Sequence, residues 1–101
     1  MILAALLLAA QPPQSDGFTP DEGRAVMATF QCQKRYVDSV PRRERRRGGA
    51  ALIEEAIGAC ASEEAALHAI LRTRYNAQSA DRVVQLVRER TREGMLRYLR
   101  R

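Results

Sequence analysis

Cys32, Cys60 and His68 have the widest chemical scope in this chain, which holds two cysteines, one histidine and no tryptophan. A pair of thiols can bind metal, act in nucleophilic catalysis or close a disulfide. Zinc takes three or four ligands, usually from closely spaced Cys or His pairs, and neither cysteine has such a neighbour. Nucleophilic catalysis needs a Ser, Thr or Cys beside a base that a third group orients, and nothing local sets His68 beside a nucleophile. Glu64 precedes His68 by four residues, so both share one helix face, a common arrangement on solvated helix flanks. The adjacent carboxylates Asp21-Glu22, Glu54-Glu55 and Glu63-Glu64 diverge by about 100° on a helix and do not converge on one substrate. They suit the positive ends of helices instead. Gly48-Gly49 follows a run of charge rather than a strand, so it does not read as a phosphate-cradling loop. No residue is assigned a catalytic, metal-binding or cofactor role, and a protein without enzymatic activity is expected.

Arginine supplies the second kind of chemistry. The net charge is +5, and it is polarised along the chain: residues 42–47 carry +4 and residues 72–101 carry +6, whereas residues 48–71 carry −4. Guanidinium groups pair with phosphate or carboxylate in bidentate fashion. Arg42, Arg43, Arg45, Arg46 and Arg47, joined by Arg88 and Arg92 from the last third, form a candidate anion-binding surface, on the condition that the fold brings the two segments together. Aromatic side chains for base stacking are few and no recognised motif frames a reading helix, so nucleic acid is not the expected partner.

The elements that must position these residues read as helices throughout. Thr19-Pro20-Asp21-Glu22 is a capping box with proline in the first helical position. From there Ala25, Val26, Thr29, Phe30, Cys32, Tyr36, Val37 and Val40 share one arc, into which Gln33 intrudes, and Pro41 ends the helix. Residues 42–47 read as an exposed connection. A second helix from Ala50 places Leu52, Ile53, Ala56, Ile57, Ala59 and Cys60 on one face. A bend near Ala61 is expected, with Ser62 capping a third helix that buries Ala66, Leu67, Ile70 and Leu71 and ends at a left-handed Asn76. Ser79 then caps a last helix over about 80–99, striped by Val83, Leu86, Val87 and Thr91 and flanked by Val84, Met95 and Tyr98. Leu96 and Leu99 point away from that stripe. No segment alternates as a strand does. The fold class is all-α, a small antiparallel bundle of three to four helices.

That topology decides the cysteine chemistry. If the first two helices run antiparallel across the basic segment, Cys32 lies about 12 Å and Cys60 about 15 Å from the turn at 1.5 Å per residue. The two are nearly level, each lies in the apolar arc of its own helix, and a bridge between Cys32 and Cys60 is expected.

Residues 1–10 are an uncharged apolar run stopped by Gln11-Pro12-Pro13-Gln14. The run is too short to span a bilayer and matches the apolar core and cleavage end of a secretory signal. No Lys or Arg precedes it, and a start upstream of Met1 would supply that charge. The expected organisation is a signal over 1–10, a linker over 11–18 and one helical domain over 19–101. A small exported domain is also where a disulfide forms and helps. The reading is a periplasmic or secreted helical protein whose partner is an envelope protein or an anionic envelope component. Its alternative is a cytoplasmic basic module that binds nucleic acid. N-terminal sequencing of the protein from its native host is expected to begin near Gln11, and Met1 intact on a cytosolic species would overturn export.

Overall fold

The computed structural model describes residues 17–100, of which the side chains of residues 46 and 47 are excepted. The signal expected over 1–10, most of the linker and Arg101 lie outside the described residues. Among the described residues five helices pack together: α1 (Pro20–Asp38), α2 (Arg42–Arg47), α3 (Gly49–Ala59), α4 (Ala61–Leu71) and α5 (Ala77–Leu99). No described residue is in a strand, and no described helix is long and apolar enough to cross a membrane.

The packing resolves into three rods: α1, the broken rod α3–α4, and α5. Cross-links between α1 and the broken rod join Tyr36 to Glu55 and Cys32 to Cys60. Those between the broken rod and α5 join Glu54 to Arg92 and Glu64 to Arg88. In each pair of rods one partner number rises as the other falls, so neighbours in sequence are antiparallel. The bundle class expected from the sequence is the one that forms.

α1 starts as its capping box dictates: the Thr19 hydroxyl accepts from the Glu22 amide and the Glu22 carboxylate accepts from the Thr19 amide. It ends at Asp38, with the Ser39 amide closing onto Arg35 and Tyr36 carbonyls. Residues 42–47 are helical rather than an open connection. The Pro41 carbonyl accepts from the Glu44 and Arg45 amides, the Gly48 amide closes onto Glu44, and Arg and Glu are good helix formers even where nothing is buried.

Two caps differ from expectation. The break in the second rod falls at Cys60, which stands at the N-terminus of α4 without a side-chain cap, while the Ser62 hydroxyl donates to Glu63. Asn76 is extended at φ −75° and accepts from the Ser79 amide, so it caps α5 rather than closing α4 in a left-handed turn. The chain after α4 stays right-handed, with the Tyr75 amide bonded to the Leu71 carbonyl, and needs no such residue.

The core divides along the rods. An upper cluster holds Ala25, Leu67, Leu71, Ala80, Val84 and Val87, with Phe18 packed against it. Two lower clusters hold Val37, Leu52 and Ala56, and Ile53, Ile57 and Met95. α5 therefore turns inward on the side of Ala80, Val84, Val87, Thr91 and Met95, and Leu86 is half exposed. Ala59 and Ala66 are exposed rather than buried. Small alanine faces on either side of a helix break look alike by period, and larger neighbours decide which side packs.

Buried polar groups are mostly satisfied locally: the Thr29 hydroxyl donates to the Ala25 carbonyl and Thr91 to Arg88. Gln33 is one exception, at 0% exposure with both side-chain amide atoms lacking a protein partner.

Cys32 and Cys60 form the expected disulfide, with Cα atoms 6.0 Å apart. The link closes a separation of 28 residues, which the chain-entropy treatment values at about 3 to 4 kcal/mol. Cys60→Ser is expected to lower Tm by roughly 15 °C, and reductant should do the same to the wild type. Equal melting of reduced and oxidised protein would deny the link that role.

Candidate functional site: the arginine end

Two sets of arginines stand out, beside Arg24, which pairs with Asp21 on α1, and Arg35, Arg72, Arg82, Arg90 and Arg97, which are exposed. The first braces the rods. Arg74 donates from Nε and Nη2 to the two Glu22 oxygens at 2.7 and 2.8 Å, and its Nη2 also donates to the Gly17 carbonyl at 2.7 Å. Gly17 holds φ +82°, a left-handed turn suited to glycine. Glu22 is 1% exposed. The Arg74 hydrogen bonds, opposed by burial and assisted by the Thr19 amide, hold its carboxyl below the ordinary range. Arg88 grips Glu64 at 3.0 and 2.6 Å, and Arg92 grips Glu54 at 2.7 and 3.2 Å. Arg88 and Arg92, taken from the sequence as part of an anion surface, thus spend their forks on carboxylates of the neighbouring rod. They do not join the arginines of α2. Opposite charge on separate helices pairs across the interface because the −4 segment is the rod facing α5.

The second population gathers at the end where α2 sits. Arg42 and Arg43 are exposed. Arg45 turns back to place Nη1 3.3 Å from Asp38 Oδ1, while its Nε is buried without a hydrogen-bond partner. Asp38 also accepts from Lys34 at 3.0 Å and from the Tyr98 hydroxyl at 2.5 Å. The Tyr98 bond, against an opposing contribution from burial and helped by Lys34 and Arg45, keeps this carboxyl below its usual range. The antiparallel course of α5 delivers its last turn to the same end. Arg45, Gly49, Leu96, Leu99 and Arg100 line one cleft of about 350 Å³. Arg46 and Arg47 belong to α2 by backbone alone.

Leu96 and Leu99 do not fray. Both pack against the lower core of Ile53, Ile57 and Met95, and their outer edges floor the cleft. Sequence reasoning counted Arg100 among the basic residues of the last third but left Gly49 and these two leucines out of the site. The available signal was the i, i+3 spacing of Leu96 with Leu99 and of Arg97 with Arg100, which sets leucines and arginines on adjoining faces of one helical turn.

A second cleft, about 420 Å³, lies between α1 and α5 and is lined by Phe18, Val26, Leu86, Val87, Arg90 and Thr91. Its walls are apolar apart from Arg90 and Thr91. His68 is half-buried, with Nε2 2.8 Å from Asp81 Oδ1 but without the alignment of a hydrogen bond. Its partner is thus Asp81 of α5 rather than Glu64, which Arg88 holds. Among the described residues, the grouping of possible metal ligands at Cys32, Cys60 and Glu63 has both sulfurs committed to the disulfide. Thiolates, the form that binds metal, are not present there.

Comparison with protein-family models, with curated proteins and with solved structures finds no match to this chain.

The brace between Glu22 and Arg74 carries a pH signature. A carboxyl lowered in the folded state contributes stability fully above its ordinary value, 4.5 for Glu22 and 3.8 for Asp38, and loses it as pH falls through the lowered one. Melting temperature should therefore hold steady from neutral pH to about 5 and fall below that. Arg74→Met should cost roughly 2 kcal/mol at neutral pH, since it strands a buried carboxylate. Urea titration of the two proteins decides it, and equal midpoints would show that the brace contributes nothing.

Proposed function

We propose that this is an exported, disulfide-stapled helical protein, without catalytic activity of its own, that works by contacting an anionic component of the cell envelope. The observation that carries the reading is the convergence of α2 and the last turn of α5, so that Arg42, Arg43, Arg45 and Arg100 share one end of the bundle. Like charges are costly to gather, and Arg42, Arg43 and Arg100 stand exposed at this one end, whereas Arg74, Arg88 and Arg92 are taken up by braces between the rods. A link between Cys32 and Cys60 suits an oxidising compartment, and the apolar run over 1–10 suits the route to one.

The fold itself supplies no reason for Arg42 and Arg43 to be arginine. Both are exposed, and any good helix former would keep α2 intact. A charge requirement outside the fold accounts for them. Polyanions or anionic surfaces meet it, through contacts that screening weakens.

The test is retention of the oxidised protein on immobilised heparin across a salt series. Retention at low ionic strength should vanish as the Debye length shrinks from roughly 10 Å toward 3 Å. Arg42→Ala with Arg43→Ala should elute earlier while its stability stays within about 0.5 kcal/mol of wild type. Retention that ignores salt, or that survives both substitutions unchanged, would overturn the reading.

A further inference from the structure

The cleft at the arginine end has a composition that neither a polyanion contact nor core packing requires. Its rim is two guanidinium groups, Arg45 and Arg100, and its floor is two leucines, Leu96 and Leu99. Two cations line one small cleft and Asp38 answers only Arg45, so an anion between them relieves the remaining repulsion. Asp38 takes Arg45 through Nη1 at 3.3 Å and the Nε is buried, so Nη2 is the nitrogen left for a ligand. Gly49 adds to the same wall. It opens α3, whose first turn holds no acidic residue and no side-chain cap, so the positive end of that helix borders the cleft.

The floor decides what kind of anion. A bare phosphate or sulfate seated on Leu96 and Leu99 would give up water to hydrocarbon and gain nothing in return. An anion that carries methylenes next to its charged group satisfies rim and floor together. At about 350 Å³ the cleft lies near the lower end of ligand sites, roughly 300 to 1,000 Å³. It holds a headgroup and the first methylenes behind it, not a whole diacyl lipid. Arg42 and Arg43, exposed on the same end, are then free to meet neighbouring headgroups.

We infer that this cleft seats the phosphate headgroup of an anionic phospholipid, docking the arginine end of the bundle on a membrane surface. The inference rests on the proposal that the arginine end meets an anionic envelope component, and it names that component.

Gly49 makes the two separable. A Cβ at this position meets nothing within 4 Å, so Gly49→Leu can fill the cleft without altering charge or the core. The full oxidised chain is floated with phosphatidylcholine vesicles, with and without phosphatidylglycerol, alongside Gly49→Leu and Arg100→Gln. Wild type should float only with phosphatidylglycerol. Gly49→Leu should need about tenfold more of that lipid while keeping its Tm and its retention on heparin. Arg100→Gln, at an exposed position, should weaken both vesicle binding and retention. If Gly49→Leu binds vesicles as wild type does, the cleft is not the seat, although the anionic reading stands. If wild type also fails on heparin, the reading beneath falls with it. Release by inorganic phosphate at matched ionic strength would make free phosphate the ligand and overturn the lipid.

Discussion

The link between Cys32 and Cys60 stands where this fold is most easily lost. The second rod is interrupted at Cys60, a residue that ends α3 and opens α4 with no side chain to cap the new helix. A break of this kind is a hinge unless something external holds it. The disulfide ties the break itself to the middle of α1, so that α3 and α4 keep their separate directions while their junction is fixed. Every other contact between α1 and the second rod is made above or below that level. The chain is also small, and a domain of this size buries a modest share of its unfolded surface. A covalent restraint at the pivot does what a larger core would otherwise do.

Charge completes the bracing, and it explains why a protein so rich in arginine is not simply sticky. Glu22, Glu54 and Glu64 each receive a fork from Arg74, Arg92 and Arg88 respectively. A guanidinium spans two carboxylate oxygens where an ammonium would meet one. Such pairs choose a register as much as they add stability, because a slip by one turn would leave Glu22 buried without its cation. Arg42, Arg43 and Arg100 play no part in this scheme, while Arg45 makes a single contact with Asp38.

Periodicity and caps made much of this legible from the residues alone. Thr19 through Glu22 specify a helix start in full, and the level placement of Cys32 and Cys60 follows from rise per residue once the helices are antiparallel. What stayed hidden depends on rotation about helix axes. On α5, Val83 and Leu86 compete with Ala80 and Val84 for the inward side; Ala80 and Val84 face Leu67 and Leu71, Val83 packs at the edge of that cluster, and Leu86 is left half exposed. Alanines at 59 and 66 satisfy the period but have too little surface to dictate which way they face. The braces were invisible for a related reason: Arg88 and Glu64 belong to separate helices, and their meeting depends on the offset between rods. The arginine end was half legible, since the basic segment 42–47 announces itself by composition though not as a helix, whereas the arrival of Arg100 requires the length of α5 to match the height of the bundle.

Two lower clusters and one upper cluster share a single bundle, and the level of the disulfide divides them. Cooperativity in such an arrangement need not be uniform. Above the division, α4 and the start of α5 close around Ala25. Below it, α3 and the end of α5 close around Val37. The tether holds the dividing plane, and the two halves are braced unequally: two forks above it, Glu22 with Arg74 and Glu64 with Arg88, and one below, Glu54 with Arg92. Transient opening there would loosen the cleft walls at Leu96 and Leu99 while Glu22 and Arg74 stayed locked. A molecule built in this way adapts its charged end and keeps its shape at the other.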